Sequence, residues 1–166
     1  MTNHILNITD LIEPERVWAL CDVVVQLGDV ETELSDGCIE AVEAMKDLEE
    51  IEKLRLIHGI GSIKFDSQNS PTEPKTITSY VDSDIAIECT DTWGDYLEEL
   101  GFNDASWIIY SLSYDVRDYS RCKDRRKVLD ELAESIENGQ LNKDELKNLA
   151  YQLAFSIGEK LYYFKA

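Results

Sequence analysis

The stretch that decides the fold is residues 142–164, NKDELKNLAYQLAFSIGEKLYYF. Its apolar residues recur every three or four positions, which places them on one face of an α-helix. Asn142 opens the stretch, and Glu145 follows at the position where a capping box closes the first turn. The stretch therefore predicts a helix with one continuous apolar face, formed by Leu146, Leu149, Ala150, Leu153, Ile157, Leu161 and Phe164.

A second helix is predicted directly upstream and ends at Asn138-Gly139. A turn of about four residues then joins the two helices, so we expect them to pack as an antiparallel hairpin. Asp104 is predicted to cap a further helix that includes Val116, and the sequence leaves open whether this helix runs on through Tyr119 into the next one. The apolar positions of the upstream helix are Cys122, Leu129, Leu132, Ala133 and Ile136.

Two more helices are predicted in the N-terminal part of the chain. The first covers Pro14–Leu27, with its proline at the first position and Gly28 as a stop signal. The second covers Ser35–Ile57. Ile51 and Leu54 drift toward its polar side, so we expect this helix to bend, to end early or to meet another element there.

The middle of the chain predicts a small β element. Gly59 and Gly61 are expected to end the preceding helix. Two short segments rich in β-branched and aromatic residues follow, separated by the polar, proline-containing loop 66–74. The predicted strands are Ser62–Phe65 and Thr76–Val81, with Ile85–Ile87 as a third strand.

Composition indicates one folded domain. The chain has 166 residues, of which 43% are hydrophobic and 30% are charged, a balance typical of globular proteins. We predict a single compact helical domain over residues 1–166, mainly α with a small β-hairpin or three-stranded element (α+β). No internal repeat is evident.

Neither a membrane segment nor a secretion signal is predicted. No apolar run approaches the ~20 residues that cross a bilayer, and the first residues lack the basic and apolar regions of a signal peptide. We therefore expect a cytoplasmic protein. Its widely spaced cysteines, without a C-x-x-C pair, are expected to be buried free thiols. They are Cys21, Cys38, Cys89 and Cys122.

Acidic residues are concentrated in the first two thirds of the chain. Residues 1–104 contain 24 Asp or Glu and 6 Lys or Arg, while residues 105–166 contain 10 of each, so the formal charge of −18 lies in residues 1–104. Such a concentration of one sign costs self-repulsion. It disfavours direct binding to nucleic acid or to an anionic membrane, and it favours a basic protein partner.

The acidic residues of the predicted Ser35–Ile57 helix share one face. Five of them fall within roughly 80° of arc and span about 21 Å along the axis. This is roughly one charge every 5 Å, comparable with the ~3.4 Å between phosphates on one DNA strand. With two acids from the strand region, the predicted partner-binding residues are Asp36, Glu40, Glu43, Asp47, Glu50, Asp82 and Asp84.

A basic cluster lies in the charge-balanced part of the chain. Interleaved Tyr114 and Tyr119 make it resemble an RNA-binding segment, but three aspartates within it dilute that character. We expect it to pair with the acidic region, within the chain or across a homodimer. The cluster consists of Arg117, Arg121, Lys123, Arg125, Arg126 and Lys127.

Catalytic motifs are nearly absent from the sequence. There is no Walker loop, dinucleotide fingerprint, nucleophile elbow or zincin motif. His58 before Gly59 and Gly61 has the form of a general base beside a glycine loop, but a helix C-terminus stabilises a histidine equally well. Asp82, Asp84 and Asp91 lack the spacing of an EF-hand. We predict no enzyme activity, no metal and no cofactor.

These observations favour an acidic inhibitor. It would bind a basic nucleic-acid-handling protein, such as a phage-defence nuclease or a CRISPR effector, and block its nucleic-acid site by imitating a polyanion. An immunity protein that neutralises a cognate toxin nuclease would need the same acidity. An enzyme with a carboxylate-based site, or an adaptor whose acidity serves solubility, remain alternatives at this point.

Overall fold

The described residues form eight helices and no strands. The computed structural model describes residues 13–28, 35–65, 76–81, 84–116 and 127–163. None of the helices in these segments is both long enough and apolar enough to cross a bilayer. In chain order they are α1 (Glu13–Leu27), α2 (Asp36–Met45), α3 (Glu50–Lys64), α4 (Ile77–Tyr80), α5 (Asp84–Trp93), α6 (Phe102–Val116), α7 (Lys127–Glu137) and α8 (Lys143–Tyr163).

The four longest helices form the core. Each packs against two others in the cyclic order α1, α6, α3, α8. Helices α3 and α6 are antiparallel, because Lys53 near the start of α3 lies 3.4 Å from Asp115 near the end of α6. At the other end the ring of Phe65 contacts that of Phe102, with 5.5 Å between centroids. Helix α3 is buried on every side over Leu56–Ser62, as expected for a helix at the centre of a bundle.

The prediction for α8 is confirmed where the structure describes it. The Asn142 backbone N–H donates to Glu145 Oε1 at 3.0 Å, and the Glu145 N–H donates to Asn142 Oδ1 at 2.8 Å. This pair of bonds is the expected capping box. The side chain of Leu161 and all of Phe164 lie outside the described parts. The buried members of the apolar face are Leu146, Leu149, Ala150, Leu153 and Ile157.

The main packing partners of α7 and α8 differ from those of the predicted hairpin. A turn does join the two helices, and Gly139 within it has φ +70°. Among the described residues, however, α8 packs against α1 and α3, and α7 packs against α1. Although the connection between them is short, α7 and α8 therefore pack mainly against other helices.

The N-terminal helices follow the prediction in part. Helix α1 is confirmed almost to the residue. The predicted Ser35–Ile57 helix is split, because α2 ends at Met45 and α3 begins at Glu50. Ser35 caps α2, and its Oγ accepts from the Cys38 N–H at 3.2 Å. The helix does end early, but at Met45, whereas Ile51 and Leu54, where the change was expected, lie inside α3, which continues through both glycines.

The predicted β element is wrong, and the fold is all-α in the described parts. Ser62–Phe65 forms the end of α3 and its C-cap, Thr76–Val81 contains the one-turn helix α4, and Ile85–Ile87 lies inside α5. Loop 66–74 lies outside the described residues. The β-branched and aromatic residues of these segments are used in helix packing, and burial in tertiary contacts overrides their weak strand preference.

The two glycines expected to end the helix instead allow close packing of α3. A Cβ at Gly61 would overlap the Cβ of Ala154 on α8. A Cβ at Gly59 would lie 2.8 Å from Ile77 Cδ1 and 2.9 Å from Tyr80 Cβ on α4. Glycine costs a helix interior about 1 kcal/mol relative to alanine. Here that cost is offset because α8 and α4 can approach the α3 backbone directly.

Candidate functional site

Helices α2 and α5 lie next to each other outside the four-helix core. Helix α2 packs on α6, and α5 packs on α4 and α2. The carboxylate of Asp104, within the first turn of α6, accepts a hydrogen bond from Ser35 Oγ at 2.7 Å. Asp104 therefore fixes the start of α2 to α6, and α6 itself begins at Phe102, two residues before the predicted cap.

The start of α2 meets the end of α5. A Cβ at Gly37 would lie 3.9 Å from Thr92 Cγ2, an ordinary van der Waals distance. Gly37 is the second residue of α2, and Thr92 is the second-last residue of α5. The N-terminal end of α2 therefore contacts the C-terminal end of α5, and a methyl group at Gly37 would fit there without a clash.

A groove of about 340 Å³ separates the two helices. Its floor is apolar, because Met45, Ile85, Cys89 and Trp93 line it and are buried. The volume falls at the low end of the range for ligand pockets. Carboxylates border this floor on both sides. The acidic lining residues are Glu40 from α2 and Glu88 and Asp91 from α5, all three exposed.

The six predicted partner-binding residues that the structure describes are exposed, but they do not form one straight stripe. Asp36, Glu40 and Glu43 lie on α2, and Asp84 is the first residue of α5. Asp47 lies in the turn after α2, and Glu50 is the first residue of α3. The continuous 21 Å stripe is therefore wrong, because the helix that would carry it ends at Met45. Asp82 lies outside the described residues.

Helices α2 and α5 nevertheless join acids that the sequence separates. Each helix carries three carboxylates and no Lys or Arg. The nearest cation in the chain, Lys46, follows α2 and lies 3.2 Å from Glu43 in an exposed pair. An exposed pair of this kind contributes little to stability. One Lys against six carboxylates leaves the surface strongly negative. Its six carboxylates are Asp36, Glu40, Glu43, Asp84, Glu88 and Asp91.

The two helices share a residue pattern that the sequence reading missed. Residues 35–45 read SDGCIEAVEAM and residues 83–93 read SDIAIECTDTW. Both segments begin Ser-Asp, and both have Ile-Glu in the middle. Equivalent residues of the two helices have similar exposure. Ile39 and Ile87 are 51% and 55% exposed, whereas Cys38 and Ala86 are fully buried. Aligning the chain with itself would have found this repeat.

Equivalent positions of the two helices line the groove. Every lining residue of α2 has an α5 counterpart that also lines it. The two helices therefore present equivalent faces to the groove. The equivalent pairs are Gly37 and Ile85, Glu40 and Glu88, Ala41 and Cys89, Ala44 and Thr92, and Met45 and Trp93.

The described cysteines are free and buried, as predicted. Burial, with the neighbouring Glu88 carboxylate as the second cause, raises the pKa of Cys89 to about 12. Burial, with Asp104 as the second cause, likewise raises the pKa of Cys38 to about 12. Both are protonated thiols at neutral pH, and a thiol is a poor nucleophile. Cys89 therefore acts as part of the apolar groove floor.

His58 is a core residue. It lies inside α3, not at the C-terminus expected for it, and its Nδ1 is 3.3 Å from the Ala154 carbonyl oxygen. The rings of Tyr80 and Phe155 lie 4.9 and 5.6 Å away. The N–H groups around Gly59 belong to the helix and bond to carbonyls one turn earlier. The segment is therefore not a glycine loop, and His58 is not a general base beside one.

Residues 117–126, which contain all of the basic cluster except Lys127, lie outside the described residues. Lys127 begins α7. The pairing of this cluster with the acidic region stays a prediction. Within the described segments, no group of three or more His, Cys, Asp or Glu side chains is arranged to hold a metal ion.

No family model matches this chain, and no curated protein or solved structure shows detectable similarity to it. The chemistry of the acidic groove is therefore the basis for any functional assignment.

Proposed function

We propose that this protein is an acidic inhibitor that binds a basic nucleic-acid-handling protein and blocks the partner's nucleic-acid site. The supporting observation is the groove between α2 and α5, where six carboxylates lie on two adjacent helices that carry no Lys or Arg. Lys and Arg side chains that bind phosphates in the partner would meet carboxylates in their place.

Helical placement suits these carboxylates to such a role. The two helices are held on the core by buried residues, Cys38 and Met45 from α2 and four residues from α5. The exposed acids are thus presented on rigid elements. A field of one sign speeds association with a basic partner, and salt screens it, so binding should be fast and salt-sensitive.

Inhibition is tested with a partner captured from the native host and then purified. The partner is bound to a fluorescent duplex oligonucleotide, and the acidic protein is titrated in while anisotropy is recorded. We expect the duplex to be released at about one equivalent of inhibitor per nucleic-acid site. Unchanged duplex binding at saturating acidic protein would contradict the proposed function.

A matched pair of variants locates the contact surface. Glu40→Lys, Glu88→Lys and Asp91→Lys together reverse the groove rim. Glu99→Lys, Glu134→Lys and Glu137→Lys together make the same change in net charge on exposed positions elsewhere. We expect the first variant to lose inhibition and the second to keep most of it. Equal loss in both would mean that net charge acts without the groove.

A further inference from the structure

We propose that Lys64, Lys143 and Lys147 bind a phosphate group at the end of the four-helix core where α6 begins. The ligand is inorganic phosphate or diphosphate, or a small organic molecule that carries such a group. None of the three lysines lines the acidic groove. This second site is therefore independent of the proposed contact with a basic partner.

The three lysines meet around Phe102, the first residue of α6. The Nζ atoms of Lys143 and Lys147, both near the start of α8, lie 5.8 and 5.4 Å from the centroid of the Phe102 ring. Lys64 belongs to the end of α3, where the ring of the next residue, Phe65, contacts that of Phe102. Three positive charges therefore lie close together in a chain whose formal charge is −18.

Two of these charges repel each other. Burial lowers the pKa of Lys64, the carboxylate of Glu98 opposes that shift, and the ammonium group of Lys147 adds to it. Salt screens charges that are separated by more than ~10 Å, so such repulsion belongs to groups near each other. An anion bound between the two ammonium groups would favour their charged forms.

These lysines have no carboxylate partner within the segments that the structure describes. Both ion pairs in those segments involve other lysines. Glu98 acts on Lys64 from a longer distance, and its Oε1 accepts the Tyr96 N–H at 2.6 Å. The sequence has 34 Asp or Glu and only 16 Lys or Arg, so lysines that gather without a carboxylate are unexpected. Their arrangement favours an anion supplied from outside the chain.

An unusual turn holds Lys64 in place. Its Nζ donates a hydrogen bond to the Leu97 carbonyl oxygen at 3.0 Å. Leu97 has φ +55°, the only positive φ of a non-glycine residue in the described parts of the chain, and a bulky side chain disfavours that conformation. Strained backbone of this kind is found at ligand sites. The bond uses one of the three ammonium donors of Lys64 and leaves two for a ligand.

A phosphate group matches the chemistry of this site. Lysine binds phosphate as a point charge, and a phosphate ester carries a charge of about −1.5 to −2 and three acceptor oxygens. Helix α6 begins at Phe102, so the positive end of its dipole also favours an anion here. A carboxylate would balance only one of the three lysines. A nucleic-acid strand would extend beyond them and be repelled by the acidic surface.

Isothermal titration calorimetry with two probes tests the site. Pyrophosphate offers phosphate groups alone, and ADP offers them on an organic molecule. EDTA in the buffer keeps divalent cations from linking the probes to carboxylates, and at an ionic strength of about 0.1 M distant carboxylates are screened.

We expect saturable binding of both probes at one site per chain. Tighter binding of ADP would support the proposal and identify the source as a phosphorylated organic molecule, whereas equal binding would support a site for the phosphate group alone. Absence of binding of both probes, in calorimetry and in a thermal-shift assay, would overturn the proposal and leave the acidic inhibitor untouched.

Matched lysine variants locate the binding. Lys143→Gln and Lys147→Gln each remove one charge at the site, and Lys46→Gln makes the same change at the exposed position after α2. We expect each of the first two to weaken pyrophosphate binding about tenfold, as the loss of one hydrogen bond to a charged group does. The control should change affinity less than about twofold.

Circular dichroism verifies the fold of each variant. Lys143 is exposed, whereas Lys147 is half-buried, so Lys143→Gln keeps the test decisive even if Lys147→Gln disturbs folding. Equal loss of affinity in Lys143→Gln and Lys46→Gln would overturn the site, because net charge alone would then account for the binding.

Discussion

Substituting Gly61 by alanine tests whether α3 passes through its glycines as a closely packed helix. A Cβ at this position would overlap the Cβ of Ala154, where carbon atoms normally stay 3.5–4.0 Å apart. Both methyl groups are fixed to helical backbones, so neither can rotate away. Helices α3 and α8 would have to separate by about 1 Å, and overpacking of this kind costs typically 1–3 kcal/mol.

The helix preference of alanine acts in the opposite direction. It recovers about 1 kcal/mol relative to glycine in a helix interior. Because backbone-fixed groups place the clash at the upper end of its range, we expect Gly61→Ala to lower the free energy of unfolding by about 2 kcal/mol. Urea denaturation followed by circular dichroism at 222 nm measures this change.

A second substitution makes the result specific. Ala154→Gly removes the opposing methyl group. The double variant Gly61→Ala, Ala154→Gly therefore has one methyl group in this space, as the original chain does. We expect the two changes to be non-additive by more than about 1 kcal/mol, as found for contacting residues. Gly101→Ala is the control, because its added Cβ would meet nothing within 4 Å. Unchanged or increased stability of Gly61→Ala would refute close packing at this position.

Three further predictions address the core, the thiols and the charge. Leu153 is fully buried in α8, so Leu153→Ala should lower the unfolding free energy by about 2–5 kcal/mol. The substitution Gln152→Ala, at an exposed position, should change it little. A loss below about 1 kcal/mol for Leu153→Ala would contradict the assigned buried face of α8. The raised pKa values of Cys38 and Cys89 mean that the unfolded thiols ionise near pH 9 and the folded ones near 12. Stability should therefore be constant below pH 9 and fall above it, and a Cys38→Ala, Cys89→Ala variant should show a smaller fall in pH-dependent urea denaturation. Raising monovalent salt toward 0.1 M, where the Debye length is ~10 Å, should raise the melting temperature, and a flat or falling value would mean that the acids are already paired.

Local pattern was enough to predict α1 and α8. Helix α8 buries one face, so its apolar residues recur at helical spacing, and the Asn142 and Glu145 cap marks where it begins. Helix α1 is buried without a break over Val17–Cys21, but a proline and a glycine mark its two ends in the sequence. The drift of apolar residues indicated an irregularity in the predicted Ser35–Ile57 helix, but it placed this at Ile51 and Leu54, several residues after the actual break at Met45. What these features share is that they depend on residues within a few turns of one another.

Helix α3 lacked such a signal because of its position. A helix buried on all sides has no polar face over Leu56–Ser62, so the helical period disappears. Its glycines then resembled a turn, although their function is to contact Ala154 and Ile77, which are distant in the chain. The same holds for α5, whose Ile85–Ile87 segment is rich in residues that also favour strands.

The sequence predicted several acidic residues of the candidate site but not how the helices bring them together. That Glu40 and Asp84 are exposed follows from their charge. That α5 lies beside α2, and so adds Glu88 and Asp91 to the same groove, depends on which helices pack together. The repeat of Ser-Asp and Ile-Glu was present in the sequence, but its significance becomes clear only when the two segments are seen side by side.

The separation of the acidic groove from the four-helix ring has an evolutionary consequence. Exposed carboxylates on α2 and α5 contact solvent, whereas the stability of the fold comes from side chains buried in the four-helix core and on the inner faces of α2 and α5. Substitutions at distant, non-contacting sites combine additively. The groove rim can therefore accumulate changes in step with a changing partner while selection on folding acts elsewhere in the chain, and either half of the repeat can diverge without its counterpart.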